Sequence, residues 1–129
     1  MSEPVWLTTE LVIAIHQEQL QEFGGPDGLR DPGALESALG RPRNQWAYEH
    51  KDLPALAAAC AFGIVRNHPF VDGNKRAGFL AMIAFLGLNG IDFLADEAEA
   101  AAIFLDLANG KVNEDGLTRW IKDNWPKQP

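Results

Sequence analysis

The sequence predicts an all-α protein, a compact bundle of about six helices with a polar loop between its two most buried members. Three observations carry this. Two uncharged runs, LPALAAACAFGIV at 53–65 and AGFLAMIAFLGL at 77–88, have helical length and are apolar on every side, as befits helices at the centre of a bundle. Capping residues precede the periodic segments and stop signals follow them. No stretch alternates apolar and polar residues long enough to make a strand, and no internal repeat, heptad array or low-complexity linker interrupts the chain.

Thr8 or Thr9 can cap a first helix with Leu11, Ala14 and Ile15 on its apolar side, and Gly24-Gly25 ends it. His16 reads as an ordinary residue of that helix. After a loop through Pro26-Asp27-Gly28, Asp31 followed by Pro32 starts a second helix with Leu35, Ala38 and Leu39 inward and Gly40 as its stop. The segment Arg41 to Asp52, with Pro42, Trp46 and Tyr48 and no clear period, is expected to be a loop or flap. The two apolar runs form the third and fourth helices, the latter stopping at Asn89-Gly90. Asp96 with Glu99 resembles a capping box that opens a fifth helix through Ile103, Phe104 and Leu107, closed by Asn109-Gly110. A sixth begins near Asn113, turns Leu117, Trp120 and Ile121 to one side, and stops before Pro126.

Composition narrows the class of function. The 129 residues suit a single domain over 1–129, long enough to bury a core without disulfides. The one cysteine, Cys60, cannot form an intramolecular bridge and reads as a small buried thiol in a reducing compartment. The start of the chain is acidic and soon polar, unlike a secretion signal, and the apolar runs fall short of the about 20 residues that span a bilayer. The expected location is therefore the cytoplasm, with no membrane partner. A net charge of −7 opposes general affinity for nucleic acid. Dense basic spots occur at Arg41 with Arg43 and at Lys75 with Arg76.

The chemistry gathers in HPFVDGNKR, residues 68–76, which joins the two central helices. A helix start presents unpaired N–H groups and the positive end of the helix dipole, so Gly73, Asn74, Lys75 and Arg76 suit a phosphate. Gly73 lets a ligand approach the backbone closely. His68 is an imidazole, the side-chain type suited to act as general base for a hydroxyl proton at neutral pH. Asp72 offers the hard oxygen that Mg²⁺ takes when it bridges to nucleotide phosphates. Phe70 serves as a loop anchor. Each residue alone reads more easily as a cap or a solvated charge, but together in one loop they describe phosphoryl or nucleotidyl transfer from a nucleoside triphosphate. A dinuclear metal site is not expected, because His16 and His50 lack metal-ligand spacing to His68.

HPFVDGNKR closely resembles the signature of the Fic and Doc (Fido) superfamily. EFGGPDGLRDPGALESALGRP at 22–42 and NGKVNEDGLTRWIKDN at 109–124 are similar to the start and end of its Doc-type members, and the short chain suits them too. The resemblance implies the Fido fold, His68 as the base, Asp72 as the Mg²⁺ ligand, and Gly73, Asn74, Lys75 and Arg76 as nucleotide and phosphate contacts. Two positions depart from the AMP-transferring pattern: Lys75 replaces a second glycine and Phe79 a second arginine. That departure implies a toxin of a type II toxin-antitoxin pair that phosphorylates a protein hydroxyl, with elongation factor Tu as substrate, translation arrest as outcome, and a Phd-like antitoxin as partner. The alternatives are AMP transfer by the same loop and a catalytically silent helical binding module.

Overall fold

The structure, a computed structural model, describes residues 2–127. Six helices follow one another: α1 (Thr9–Phe23), α2 (Pro32–Glu49), α3 (Leu53–Asn67), α4 (Asn74–Leu88), α5 (Glu97–Ala108) and α6 (Glu114–Asp123). The all-α prediction holds; among the described residues there is no strand, only an isolated antiparallel bridge between Leu29 and Phe70.

Five of the six helix starts carry the side-chain caps their sequences offer. Thr8, Asp31, Asp52, Asp96 and Asn113 each accept a hydrogen bond from the N–H three residues on, at 2.8–3.2 Å. The capping box at α5 is half formed, because the Glu99 carboxylate accepts from Trp120 Nε1 at 2.7 Å and thereby ties α5 to α6. The start of α4 differs. Gly73 precedes it with φ 79°, and no side chain caps it.

α3 lies at the centre, packed by α2, α4, α5 and α6. Its run from Leu56 to Ala61 is buried, along with Gly63, Ile64 and Val65. Small residues here let neighbouring helices come close: a Cβ added at Gly63 would stand 3.0 Å from both Cα and Cβ of Ala38 on α2. Cys60 is fully buried in this layer, and desolvation pushes its thiol up to about 12. No helix among the described residues is long and apolar enough to cross a membrane.

Two expectations are corrected. Gly40 does not stop α2; the helix runs through Gly40 and Pro42 to Glu49, so the expected flap at 41–52 is mostly helix. Gly and Pro cost a helix interior about 1 and 3 kcal/mol, but the continuation buries Pro42 and Gln45. It also joins α2 to α6, since Arg41 Nε donates to Glu114 Oε1 at 3.0 Å and Gln45 Nε2 donates to Glu114 Oε2 at 2.9 Å. Tertiary contacts outweigh local propensity there. In α1 the inward stripe is Val12, His16 and Gln19, while Leu11 and Ala14 are exposed and Ile15 is half-buried. That stripe carries two polar side chains because it packs against the loop between α3 and α4.

Candidate active site

The loop is held by three converging elements. The left-handed residue His68 (φ 54°) ends α3, with its N–H bonded to the Ile64 carbonyl. The segment before α2 lies alongside: Arg30 and Asp31 N–H donate to the Pro69 carbonyl at 2.7 and 3.0 Å, and Val71 N–H donates to the Gly28 carbonyl at 3.1 Å. The Arg30 side chain adds a clamp at the C-terminal end of α3. Its Nε donates to the His68 carbonyl at 2.8 Å and its guanidinium to the Asn67 carbonyl at 3.1 Å, where a cation meets the negative end of the helix dipole.

From below, α1 supports the loop. The His16 ring stacks on Phe70 with centroids 3.8 Å apart and planes 7° apart, and its Nε2–H donates to the Asp72 carbonyl at 2.8 Å. Phe70 is buried against it. His16, an ordinary helix residue by sequence, is thus 1% exposed and fixes the backbone at the proposed metal ligand. Beside it, Gln19 lies so close to Gly73 that a Cβ there would fall 2.4 Å from Gln19 Nε2. The positive φ at position 73 disfavours a side chain, and a Cβ there would also have to displace the Gln19 carboxamide.

Asn74 is placed differently from the direct phosphate contact its motif suggests. The side chain is buried: Oδ1 accepts from Phe70 N–H at 2.9 Å, and Nδ2 donates to the Phe70 carbonyl at 2.9 Å and to His68 Nδ1 at 3.1 Å. Because Oδ1 accepts from a backbone N–H, the amide orientation is determined, and Nδ2 must be the donor to His68. The neutral imidazole accordingly carries its hydrogen on Nε2. Its lone pair on Nδ1 points toward Asn74 and the start of α4.

The other polar residues face a cleft of about 330 Å³, lined by Gln19, Asp72, Gly73, Lys75 and Arg76 on the loop side. Phe79, Ala100 and Phe104 form its apolar wall, with Phe79 edge-on to Phe104 at 5.5 Å. Asp72, Lys75 and Arg76 are exposed and make no ion pair among the described residues. The Arg76 guanidinium sits 3.9 Å from the centre of the Phe23 ring, a cation–π contact that holds it near the cleft. A larger polar groove of about 780 Å³, between α2, α3 and the start of α6, contains none of residues 68–76. Asp72, Gly73, Lys75 and Arg76 of the loop line the smaller cleft, whereas His68 is not among its lining residues.

Such a donor set fits a Mg²⁺–nucleotide. Two carboxylates free of ion pairs among the described residues, Asp72 on the loop side and Glu97 on α5, line the cleft. One or two carboxylates rather than a cage are what Mg²⁺ uses when phosphates complete its shell, and no three His, Cys, Asp or Glu side chains among the described residues gather into a self-sufficient metal site. The free N–H groups of α4, Lys75 and Arg76 offer positive potential for the phosphates.

The all-helical bundle carries its signature loop between α3 and α4, and the pattern of the Fic/DOC family matches residues 6–86. The chain belongs to the Fic/DOC family. Within it, this is a Doc-type member: it is 32% identical over 117 residues to "Protein kinase doc" of Escherichia phage P1, covering 90% of this chain and 92% of that one. It is 42% identical over 77 residues to "Toxin Doc" of Mycolicibacterium smegmatis, covering 57% of this chain and 58% of that protein.

Sequence reasoning located the loop but not His16, Gln19 or Arg30. The signal for the first two was their spacing with Val12, one helical stripe at i, i+4 and i+7. Arg30 left no signal.

Proposed function

We propose that this protein is the toxin of a type II toxin-antitoxin pair, a protein kinase that transfers the γ-phosphate of ATP to a hydroxyl of a translation factor and is held inactive by a Phd-like antitoxin. Elongation factor Tu is the proposed target. The observation that carries the reading is the uncapped start of α4, where Gly73, Lys75 and Arg76 line the cleft and Asn74, its first residue, holds His68 Nδ1 at 3.1 Å. The name of the phage relative, a protein kinase, points the same way.

In this mechanism ATP lies in the cleft with its phosphates at the α4 N-terminus, against Lys75 and Arg76, and Asp72 would hold Mg²⁺. Bound Mg²⁺ neutralises and orients the phosphate oxygens. The target hydroxyl approaches from the His68 side. Its oxygen forms a bond to the γ-phosphorus, the bond from that phosphorus to the β,γ-bridging oxygen breaks, ADP leaves, and the hydroxyl proton passes to Nδ1 of His68. At rest Asn74 Nδ2 holds that lone pair and aims the imidazole, and the incoming hydroxyl displaces it.

Phe79 bears on the choice between phosphate and AMP transfer. It contributes an apolar ring to the cleft where AMP-transferring members place a second arginine, so the cationic support of an extended triphosphate is reduced on that side. Lys75 supplies a point charge where they carry glycine. Incubating the protein with target, Mg²⁺ and ATP labelled at either the γ or the α position separates the possibilities. Label from γ alone supports the kinase; label from α establishes AMP transfer; label from neither leaves a binding module.

A further inference from the structure

We propose that Gln19 of α1 is a ligand-binding residue of the cleft, presenting its carboxamide to the hydrated Mg²⁺–triphosphate held at Gly73–Arg76. This rests on the nucleotide-transfer reading above and adds to it a residue that lies outside the signature loop, 49 positions before His68 in the chain. Gln19 is 6% exposed, lines the cleft together with Asp72, Gly73, Lys75 and Arg76, and places Nε2 directly over Gly73. Its Oε1 has no hydrogen-bond partner among the described residues. Buried amides are normally satisfied, and an unpaired acceptor destabilises the fold that holds it.

The neighbouring groups explain why a glutamine rather than an apolar residue stands there. His16, one turn earlier on the same stripe, has its Nε2–H engaged by the Asp72 carbonyl and contributes nothing to Gln19. Lys75 and Arg76 supply only donors to a ligand, and Asp72 supplies only acceptors. A carboxamide supplies one of each. A metal-bound phosphate asks for both: its oxygens accept from an N–H, and the waters on Mg²⁺ donate. Gln19 is the lining residue on the loop side whose uncharged side chain can answer both: Nε2–H donates to a phosphate oxygen, and rotation of the carboxamide about its last bond on binding brings Oε1, buried at rest, to a metal-bound water.

Gln19→Met tests this, because methionine keeps the length and volume of the side chain while removing both polar atoms. The affinity of each protein for MgATP is measured by calorimetry, and thermal stability by circular dichroism without nucleotide. The expected result is about a tenfold loss of MgATP affinity together with a melting temperature equal to or above the parent's, since an unpaired buried acceptor has been removed. The smaller variant Gln19→Ala should lose affinity similarly, and Gln17→Met, on the exposed side of α1, should bind as the parent does. If the parent binds MgATP and both Gln19 variants match it, the role of Gln19 is overturned and the nucleotide reading stands. A fall in melting temperature without loss of affinity also overturns it, by showing a structural amide. A parent that binds no MgATP overturns both.

Discussion

Asn74 is the residue whose removal should do most damage per atom, because it satisfies the loop at both a donor and an acceptor of Phe70 while aiming His68. In Asn74→Ala the Phe70 N–H loses its partner in a buried position, at a cost of about 1–3 kcal/mol, and the Phe70 carbonyl loses a bond worth about 0.5–1.5 kcal/mol. The His68 contact adds little to stability because the ring is exposed. The sum is roughly 2–4 kcal/mol, which corresponds to a drop in melting temperature of roughly 7 to 15 °C for a chain of 129 residues. Asn74→Asp distinguishes the components: Oδ1 can still accept from Phe70 N–H, but a carboxylate now faces the Phe70 carbonyl and cannot donate to His68. It should be destabilised too, and more strongly at pH 7 than at pH 3, relative to the parent at each pH. Differential scanning calorimetry gives the first quantity, and nitrogen-15 shifts of the His68 ring give the second, the parent showing hydrogen on Nε2 and Asn74→Ala a mixture of tautomers. A melting temperature for Asn74→Ala within about 2 °C of the parent's would refute the accounting of these bonds, since even the lower bound of the sum exceeds it.

His68→Ala should lower the transfer rate by about 10² to 10⁴-fold with ATP affinity and fold near the parent's; an unchanged rate removes His68 as the base. His16→Phe keeps an aromatic ring on Phe70 but deletes the donor to the Asp72 carbonyl, so it should lose about 1–3 kcal/mol of stability and raise the Mg²⁺ concentration needed for half-maximal activity. An unaltered Mg²⁺ titration would show that His16 does not position Asp72. Cys60 makes a pH prediction. Its folded pKa is raised from 9.0 to about 12 by burial, so the unfolded chain releases this proton first as pH rises. The contribution is complete below pH 9 and is lost between pH 9 and about 12, at up to roughly 1.4 kcal/mol per pH unit. Urea unfolding at pH 8 and pH 10.5 should therefore show a smaller loss of stability for Cys60→Ala than for the parent; equal losses would mean the thiol ionises in the folded protein as readily as in the unfolded one.

What the sequence determined by itself is whatever is local along the chain. Caps at Thr8, Asp31, Asp96 and Asn113 act over three residues, and the apolar runs of α3 and α4 declare their burial by composition alone, so the helix order and the all-α class were legible. The same locality exposed HPFVDGNKR, since nine contiguous residues carry the histidine, the carboxylate and the cations. Tertiary structure decided what depends on partners distant in sequence. The breakers Gly40 and Pro42 argue for a loop until α3 and Glu114 are there to reward the extra turns of α2. Leu11, Ala14 and Ile15 looked like the inward side of α1, yet the face that packs is set by what it meets, and it meets a polar loop that needs a donor at Asp72 and a ring under Phe70. Arg30, His16 and Gln19 come to the site from 37 to 56 residues away from the groups they touch. Hydrogen bonds and stacking are short-ranged, so no pattern along the chain announces such pairs; only folding brings them within reach.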